Sequence, residues 1–259
     1  FSEVRLMAIS DPLGSPSISD TYDLNVPTYS YPDHPPQQGS SVRPYLFEPR
    51  FWSCIQRGGS LWAVHHVNSS RSRVRWYEID MQGWPGSGQL PVLAQSGEID
   101  GGNGIYTFFP SIAVDGLGNA VITFARSSTN EYISMWEAHR EAGDPLDEFQ
   151  PMTLIQESTS PENSGRWGDY SGASPWPGGN GEIWIAHEWT NGSWRTWISK
   201  IEFADPLPQG ACCTGTTCAI ATEADCSGAY LGDNTDCTGN PCNPTGACCI
   251  GTDCTTTTQ

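Results

Sequence analysis

The chain has 259 residues, of which 29 are acidic and 12 basic, for a net charge of −17. So acidic a surface has nothing with which to displace the counterions of a phosphate backbone, which excludes nucleic-acid binding. No apolar run reaches the roughly 20 residues of a spanning helix, so direct membrane insertion through one is not expected. All 11 Trp fall between Trp52 and Trp197, and nine of the 10 Cys follow residue 203, so an aromatic-rich region precedes a cysteine-rich tail.

From the beginning, Phe1 to Ser10 alternates as a strand and resembles the closing strand of a repeat, so 1–10 is expected to end an earlier unit and the chain is expected to start inside a larger protein. Residues 11–49 are rich in Pro, Ser and Tyr, with Pro32, Pro35, Pro36 and Pro44, and read as a long surface connection holding short extended pieces such as Leu24 to Tyr29.

Three copies of one hairpin plan follow. Gly59 to His65 leads through Asn68-Ser69-Ser70 to Val74–Ile79; Gly118 to Phe124 leads through Ser127 to Asn130 into Tyr132–Trp136. Gly181, closing a Pro/Gly/Asn turn over 177–181, leads through Ile183–His187 and Asn191-Gly192 to Trp194–Phe203. The opening glycines lie 59 and 63 residues apart. Gly and Asn supply the positive φ of tight hairpin turns, and the β-branched and aromatic runs between them are strands. A strand precedes each glycine: Phe51 to Gln56, Pro110 to Asp115, and Tyr170 to Ser174, the last in a sheet whose extended run opens at Arg166 to Gly172. The proline-bearing segments 90–95 and 151–156 take matching places as outer strands. Met135 to Glu141 is the one stretch with a helical signal, and its place in the repeat makes it a strand. Repetition of a small sheet marks an array in which no unit buries its faces alone. The expected fold is all-β: a β-propeller with four-stranded blades at about 48–95, 107–157 and 165–203. Three blades are fewer than the usual 4 to 8, so further sequence or another copy should close the ring.

Candidate chemistry is sparse. Arg166, Asp169 and Tyr170 are residue types a glycoside hydrolase of the tyrosine-nucleophile kind would use, with Glu188 a further carboxylate; the plainer reading pairs Asp169 with Arg166 at a turn. His65 and His187 share a repeat position that Phe124 fills in the middle copy, so they read as strand residues rather than metal ligands. Glu98, Asp100 and Asn103 in a Gly-rich loop are hard oxygen donors suited to calcium, without the EF-hand pattern. Arg71, Arg73 and Arg75 alternate along one strand and so share a face, where they could grip a carboxylated glycan or an acidic patch of another copy; a charged outer strand that resists edge pairing is the alternative. Asn68 and Asn191 begin glycosylation sequons in expected turns, and Thr255 to Thr258 could carry O-linked sugars.

After a linker at 204–210, Gly210-Ala211-Cys212-Cys213 with Cys218 recurs as Gly246-Ala247-Cys248-Cys249 with Cys254, an offset of 36 residues. The first unit, 211–245, adds Cys226, Cys237 and Cys242, and its six cysteines permit 15 pairings. A segment so short needs staples, and the tail has no His, so disulfides in an oxidising compartment outrank zinc. The second unit, 246–259, holds three cysteines and suggests that the natural chain continues.

The Pro110 to Asp115 strand, the Gly165-Arg166-Trp167-Gly168-Asp169-Tyr170-Ser171 run and the Trp-rich closing strand together resemble secreted bacterial β-propeller domains of the sialidase-like superfamily, over roughly residues 45–203. The tail resembles short Cys-rich tandem modules of bacterial secreted proteins. That resemblance implies six or seven blades and an extracellular address. It carries no activity, because the Ser-x-Asp-x-Gly-x-x-Trp box of true sialidases is missing. The expectation is a non-enzymatic extracellular structural or adhesive protein, with self-association into a fibre as its extension; the alternatives are a sialidase-like hydrolase and a lectin-like glycan binder.

Overall fold

The computed structural model describes residues 1–19, 21–177, 181–204 and 209–242, with the backbone of 245–250 and 253–258. Every regular element among them is a β-strand, and no helix is long and apolar enough to cross a membrane. The chain divides into two compact units, Phe1–Phe203 and Ala204–Gln259.

The first unit begins with a nested hairpin. β1 (Glu3–Leu6), β2 (Ile9–Ser10), β3 (Ser17–Ile18) and β4 (Tyr22–Asn25) pair antiparallel, β1 with β4 and β2 with β3. Val4, Leu6 and Leu24 are buried on one face, while Arg5 and Asp23 form an exposed ion pair on the other. Residues 22–25, expected within a surface connection, are therefore a paired strand.

Three antiparallel meanders follow, each with its strands in chain order. The first sheet is β5 (Ser53–Arg57), β6 (Ser60–Asn68), β7 (Ser72–Asp80) and β8 (Val92–Ile99). The second is β9 (Tyr106–Val114), β10 (Ala120–Ser128), β11 (Glu131–Arg140) and β12 (Thr153–Gln156). The third is β13 (Gly172–Pro175), β14 (Glu182–Thr190) and β15 (Trp194–Glu202), with three strands where four were expected. Gly59, Gly118 and Gly181 have φ of 86°, 91° and 80°, in the left-handed region, which is why the repeat opens on glycine each time. Residues 178–180 of the expected turn lie outside the described residues.

Period-two alternation gives each sheet two apolar faces, and the sheets use them in series. On β6, Trp62 and Val64 join Val74 and Trp76 of β7 against Ile112, Val114, Ile122 and Phe124 of the second sheet. The opposite face of the first sheet, with Tyr77 and Ile79, is covered by Val4, Leu6, Leu24 and Val26 of the nested hairpin and its flank. The second sheet turns Ala113, Val121 and Met135 toward Ile183 and Ile185 of the third. Fully burying a large apolar side chain is worth about 1.5–3 kcal/mol, so each of these seams far outweighs any single surface ion pair. The three sheets stack in order, and no closed ring is formed among the described residues.

Residues 166–171, read from their sequence as a strand, form a loop, and the following strand begins only at Gly172. Gly165 and Gly168 hold φ of 74° and 94°, which breaks the extended run.

The second unit is small. β16 (Gln209–Thr214), β17 (Thr217–Thr222) and β18 (Ala229–Tyr230) form a sheet in the order β17-β16-β18, so Gln209 and Gly210, expected in a linker, already belong to a strand. Its disulfides join Cys212 to Cys226, Cys213 to Cys242 and Cys218 to Cys237. A Cβ on Gly228 would lie 1.9 Å from the Cys213 carbonyl, so only glycine lets the chain cross β16 there. β19 (Thr245–Ile250) and β20 (Asp253–Thr258) repeat the first hairpin, with Cys249 opposite Cys254 as Cys213 is opposite Cys218. The side chains of Cys248, Cys249 and Cys254, and Thr255 to Thr258 as sugar carriers, lie outside the described residues.

Ala211, Cys212 and Cys242 are the buried apolar residues described in this unit, so the bridges take the place of a core. Each closes a loop of 14, 29 or 19 residues, in the range where a disulfide contributes about 3 kcal/mol or more. Limited proteolysis with and without reductant tests this: reduction should open 209–242 to cleavage and leave 1–203 resistant. Equal resistance of the tail after reduction would contradict it.

Candidate functional site

The arginine stripe is an internal brace. Arg71, Arg73 and Arg75 do share a face of the β7 region, but β8 pairs beside it and brings Glu98 opposite Arg75. Arg75 and Arg73 both donate to Glu98, Arg71 and Arg73 both reach Asp100, and Arg71 also donates to the Ile105 carbonyl at 2.7 Å. Arg75 reaches the carbonyls of Pro27 and Thr28 at 2.9 Å, tying the N-terminal segment to the sheet. Arg71 and Arg75 are buried. Burial by itself would raise the Glu98 carboxyl, yet the hydrogen bonds from Arg75 and Arg73 outweigh it and hold it below the usual range. The stripe is thus not free to grip an external carboxylate. The calcium expectation fails on the same geometry: Glu98 and Asp100 are committed to three guanidinium groups, whose charge would repel a cation. Asn103 stays in the turn beyond them without joining their ion pairs.

The loop at 166–171 is organised by Glu188 of β14. Its carboxylate oxygens accept the amides of Gly168 at 2.9 Å and Tyr170 at 3.1 Å. Burial pushes the Glu188 carboxyl up, against those two amide hydrogen bonds. Arg166 donates to Asp169 at 2.6 and 2.8 Å on the exposed side, and the Tyr170 ring lies 5.3 Å from that of Trp194. The three catalytic candidates of the hydrolase alternative therefore sit on one loop, with Asp169 held by Arg166 and Glu188 occupied in shaping the backbone.

Beneath this loop lies Phe109, whose φ of 51° puts a bulky residue in the left-handed region. Three neighbours hold it there. His66 Nδ1, from the first sheet, accepts the Phe109 amide at 3.1 Å. His187 Nε2, from the third, donates to the Phe109 carbonyl at 2.9 Å, while its Nδ1 accepts the Glu188 amide at 2.8 Å. Gly168 makes room for the ring, since a Cβ there would sit 2.2 Å from it. His65 is buried too, between the Pro49 carbonyl at 2.9 Å and the Tyr77 hydroxyl at 3.0 Å. Expected as half-buried strand residues, His65 and His187 are fully buried. His66 went unremarked in the sequence, where its only signal is adjacency to His65.

Of the sequon residues, Asn191 is exposed in its turn and accepts a hydrogen bond from Arg195 at 2.6 Å. Asn68, expected in a turn, is the half-buried last residue of β6, and its amide donates to Ser30.

The third sheet has an uncovered face. Ile183, Ile185 and His187 turn toward the second sheet, so Trp184 and Ala186 turn away, joined by their cross-strand partners Lys200 and Ile198. Trp184 is 40% exposed, Ile198 66% and Trp194 52%. Counted from the hairpin glycine, Trp184 holds the position of Trp62 and Val121, each of which is covered by the following sheet. Among the described residues β15 is also paired on one side only.

No protein-family model matches this chain, and no curated protein matches it. A solved structure, a protein of unknown function from Dyadobacter fermentans DSM 18053, is similar with a TM-score of 0.36 and 10% identity, over 74% of this chain and 54% of that one. A likeness of that degree assigns neither fold nor function.

The buried histidines set a pH dependence. Burial lowers all three, His65 and His187 to about 4 and His66 to about 3, from 6.5. The native state keeps them neutral, so their contribution is present above the unfolded value and lost as pH falls toward the folded ones. Within that window each unprotonated ring costs roughly 1.4 kcal/mol per pH unit. Urea midpoints measured from pH 7 to 4.5 should fall steeply. His187→Gln, which keeps a donor for the Phe109 carbonyl, should flatten the slope by about one proton. An unchanged slope would contradict the assignment.

Proposed function

We propose that this chain is a non-enzymatic extracellular structural or adhesive protein, built from β-propeller blades and a disulfide-stapled tail, that self-associates through the open face of its third sheet. The uncovered face of Trp184 and Ile198 carries this reading. In the first two sheets the same face receives another sheet of the same kind, so the surface is shaped for such a sheet. An apolar patch flanked by the Lys200 ion pairs, with a strand edge open beside it among the described residues, suits docking rather than solvation. The occupant is a second copy. A contact of unlike surfaces extends head to tail into a fibre unless it closes into a ring.

The address follows from the tail. Three disulfides in a module with hardly any core require an oxidising compartment, and the resemblance to secreted sialidase-like propeller domains and Cys-rich tandem modules supports the extracellular one. The internal engagement of Arg71, Arg73, Arg75, Asp169 and Glu188 favours the non-enzymatic reading over the hydrolase.

Sedimentation velocity over a concentration series is the test. The 259-residue chain should show mass rising with concentration, and Ile198→Lys, on an exposed side chain, should return it to monomer with an unchanged melting temperature. A concentration-independent monomer, or association untouched by Ile198→Lys, would overturn the proposal.

A further inference from the structure

The second sheet carries a depression of about 390 Å³ that no role described so far uses. Residues two apart on a strand share a face, so β11 turns Tyr132, Ser134 and Trp136 into it together. Ser134 closes the floor, accepting the Ser158 amide at 3.0 Å and donating to the Tyr132 carbonyl at 3.2 Å. Trp136 is steadied by Arg126, whose guanidinium lies 3.9 Å from the ring centroid and pairs with Glu131 at 2.7 Å. The rim is polar. Gln38, Asn130, Glu157 and Thr159 line it, and among the described residues their side chains have no hydrogen-bond partner.

A preformed hollow of this size, with aromatic walls and a few unspent polar groups, has the make-up of a small-molecule site. The electron-rich face of an aromatic ring attracts the C–H face of a pyranose, while amide and carboxylate groups take its hydroxyls. Charge narrows the class. Glu131 neutralises Arg126, which leaves Glu157 as the uncompensated charge, so a carboxylated sugar is repelled and a neutral one is not. We infer that this depression binds a neutral disaccharide unit of a glycan, with Tyr132 as the stacking face, Trp136 under Arg126 as the apolar wall beside it, and Gln38, Asn130 and Glu157 as hydrogen-bond partners. The site lies on another sheet from the proposed assembly face, and either can fail without the other.

Saturation-transfer NMR on the full chain tests it, with cellobiose, lactose and N,N′-diacetylchitobiose as neutral probes and 3′-sialyllactose as the charged one. At least one neutral disaccharide should receive saturation on its ring protons, and sialyllactose should receive much less than lactose. Trp136→Ala should abolish the effect. Because Trp136 also touches the core, Glu157→Ala on the exposed rim serves as the second variant and should weaken binding about fivefold with the fold intact. No transfer to any neutral probe, equal transfer to sialyllactose, or an effect unchanged in both variants would each overturn the inference.

Discussion

The arrangement of the first unit depends on one peptide. Phe109 is held in a conformation that costs a bulky residue about 1–3 kcal/mol, and its amide and carbonyl are taken by His66 and His187 from the sheets on either side. Through two hydrogen bonds a single residue of β9 fixes the neighbours of the second sheet. Protonating His66 at Nδ1 removes the lone pair that takes the Phe109 amide, whereas protonating His187 at Nδ1 costs the bond from the Glu188 amide and leaves its Nε2–H on the Phe109 carbonyl. The same node sets the 166–171 loop, since Gly168 accommodates the Phe109 ring and Glu188, next to His187, takes two loop amides.

From this follows the division of labour among the polar groups. Many of those that a sequence would nominate for chemistry are spent inside the unit: the arginines on Glu98 and Asp100, Glu188 on the loop, His187 on Phe109 and His65 on Pro49 and Tyr77. Toward solvent, besides the Arg166–Asp169 pair and Tyr170, lie an apolar face on the third sheet and a hollow with aromatic walls on the second. Both surfaces arise from strand alternation, which must give every sheet a second face whether or not another sheet covers it.

Much of the fold was legible because its signals are local. Gly59, Gly118 and Gly181 mark the repeat since each turn needs a positive φ, and the cysteine module shows itself by recurring at a fixed offset. Long-range pairing was not legible. Nothing in the local pattern says that Glu98 will stand opposite Arg75, because the register of β7 with β8 is set across an intervening connection. The 166–171 run reads as a strand by composition, and the left-handed Gly165 and Gly168, together with the capture of its amides by Glu188, eighteen or more residues along the chain, make it a loop. The two surfaces escaped the sequence reading for a related reason: Trp184 and Trp136 look like core residues until the sheet that does or does not cover them is known.

The central claim is that the Phe109 peptide couples the flanking sheets, and native-state hydrogen exchange of a His66→Ala chain measures it most directly. His66 belongs to the first sheet and His187 to the third. Losing His66 should therefore release Phe109 and lower the protection of β14 amides as well as those of β6 and β9. Protection of β14 that stays at its wild-type level while β6 and β9 loosen would show that the sheets are held independently, and would contradict the account.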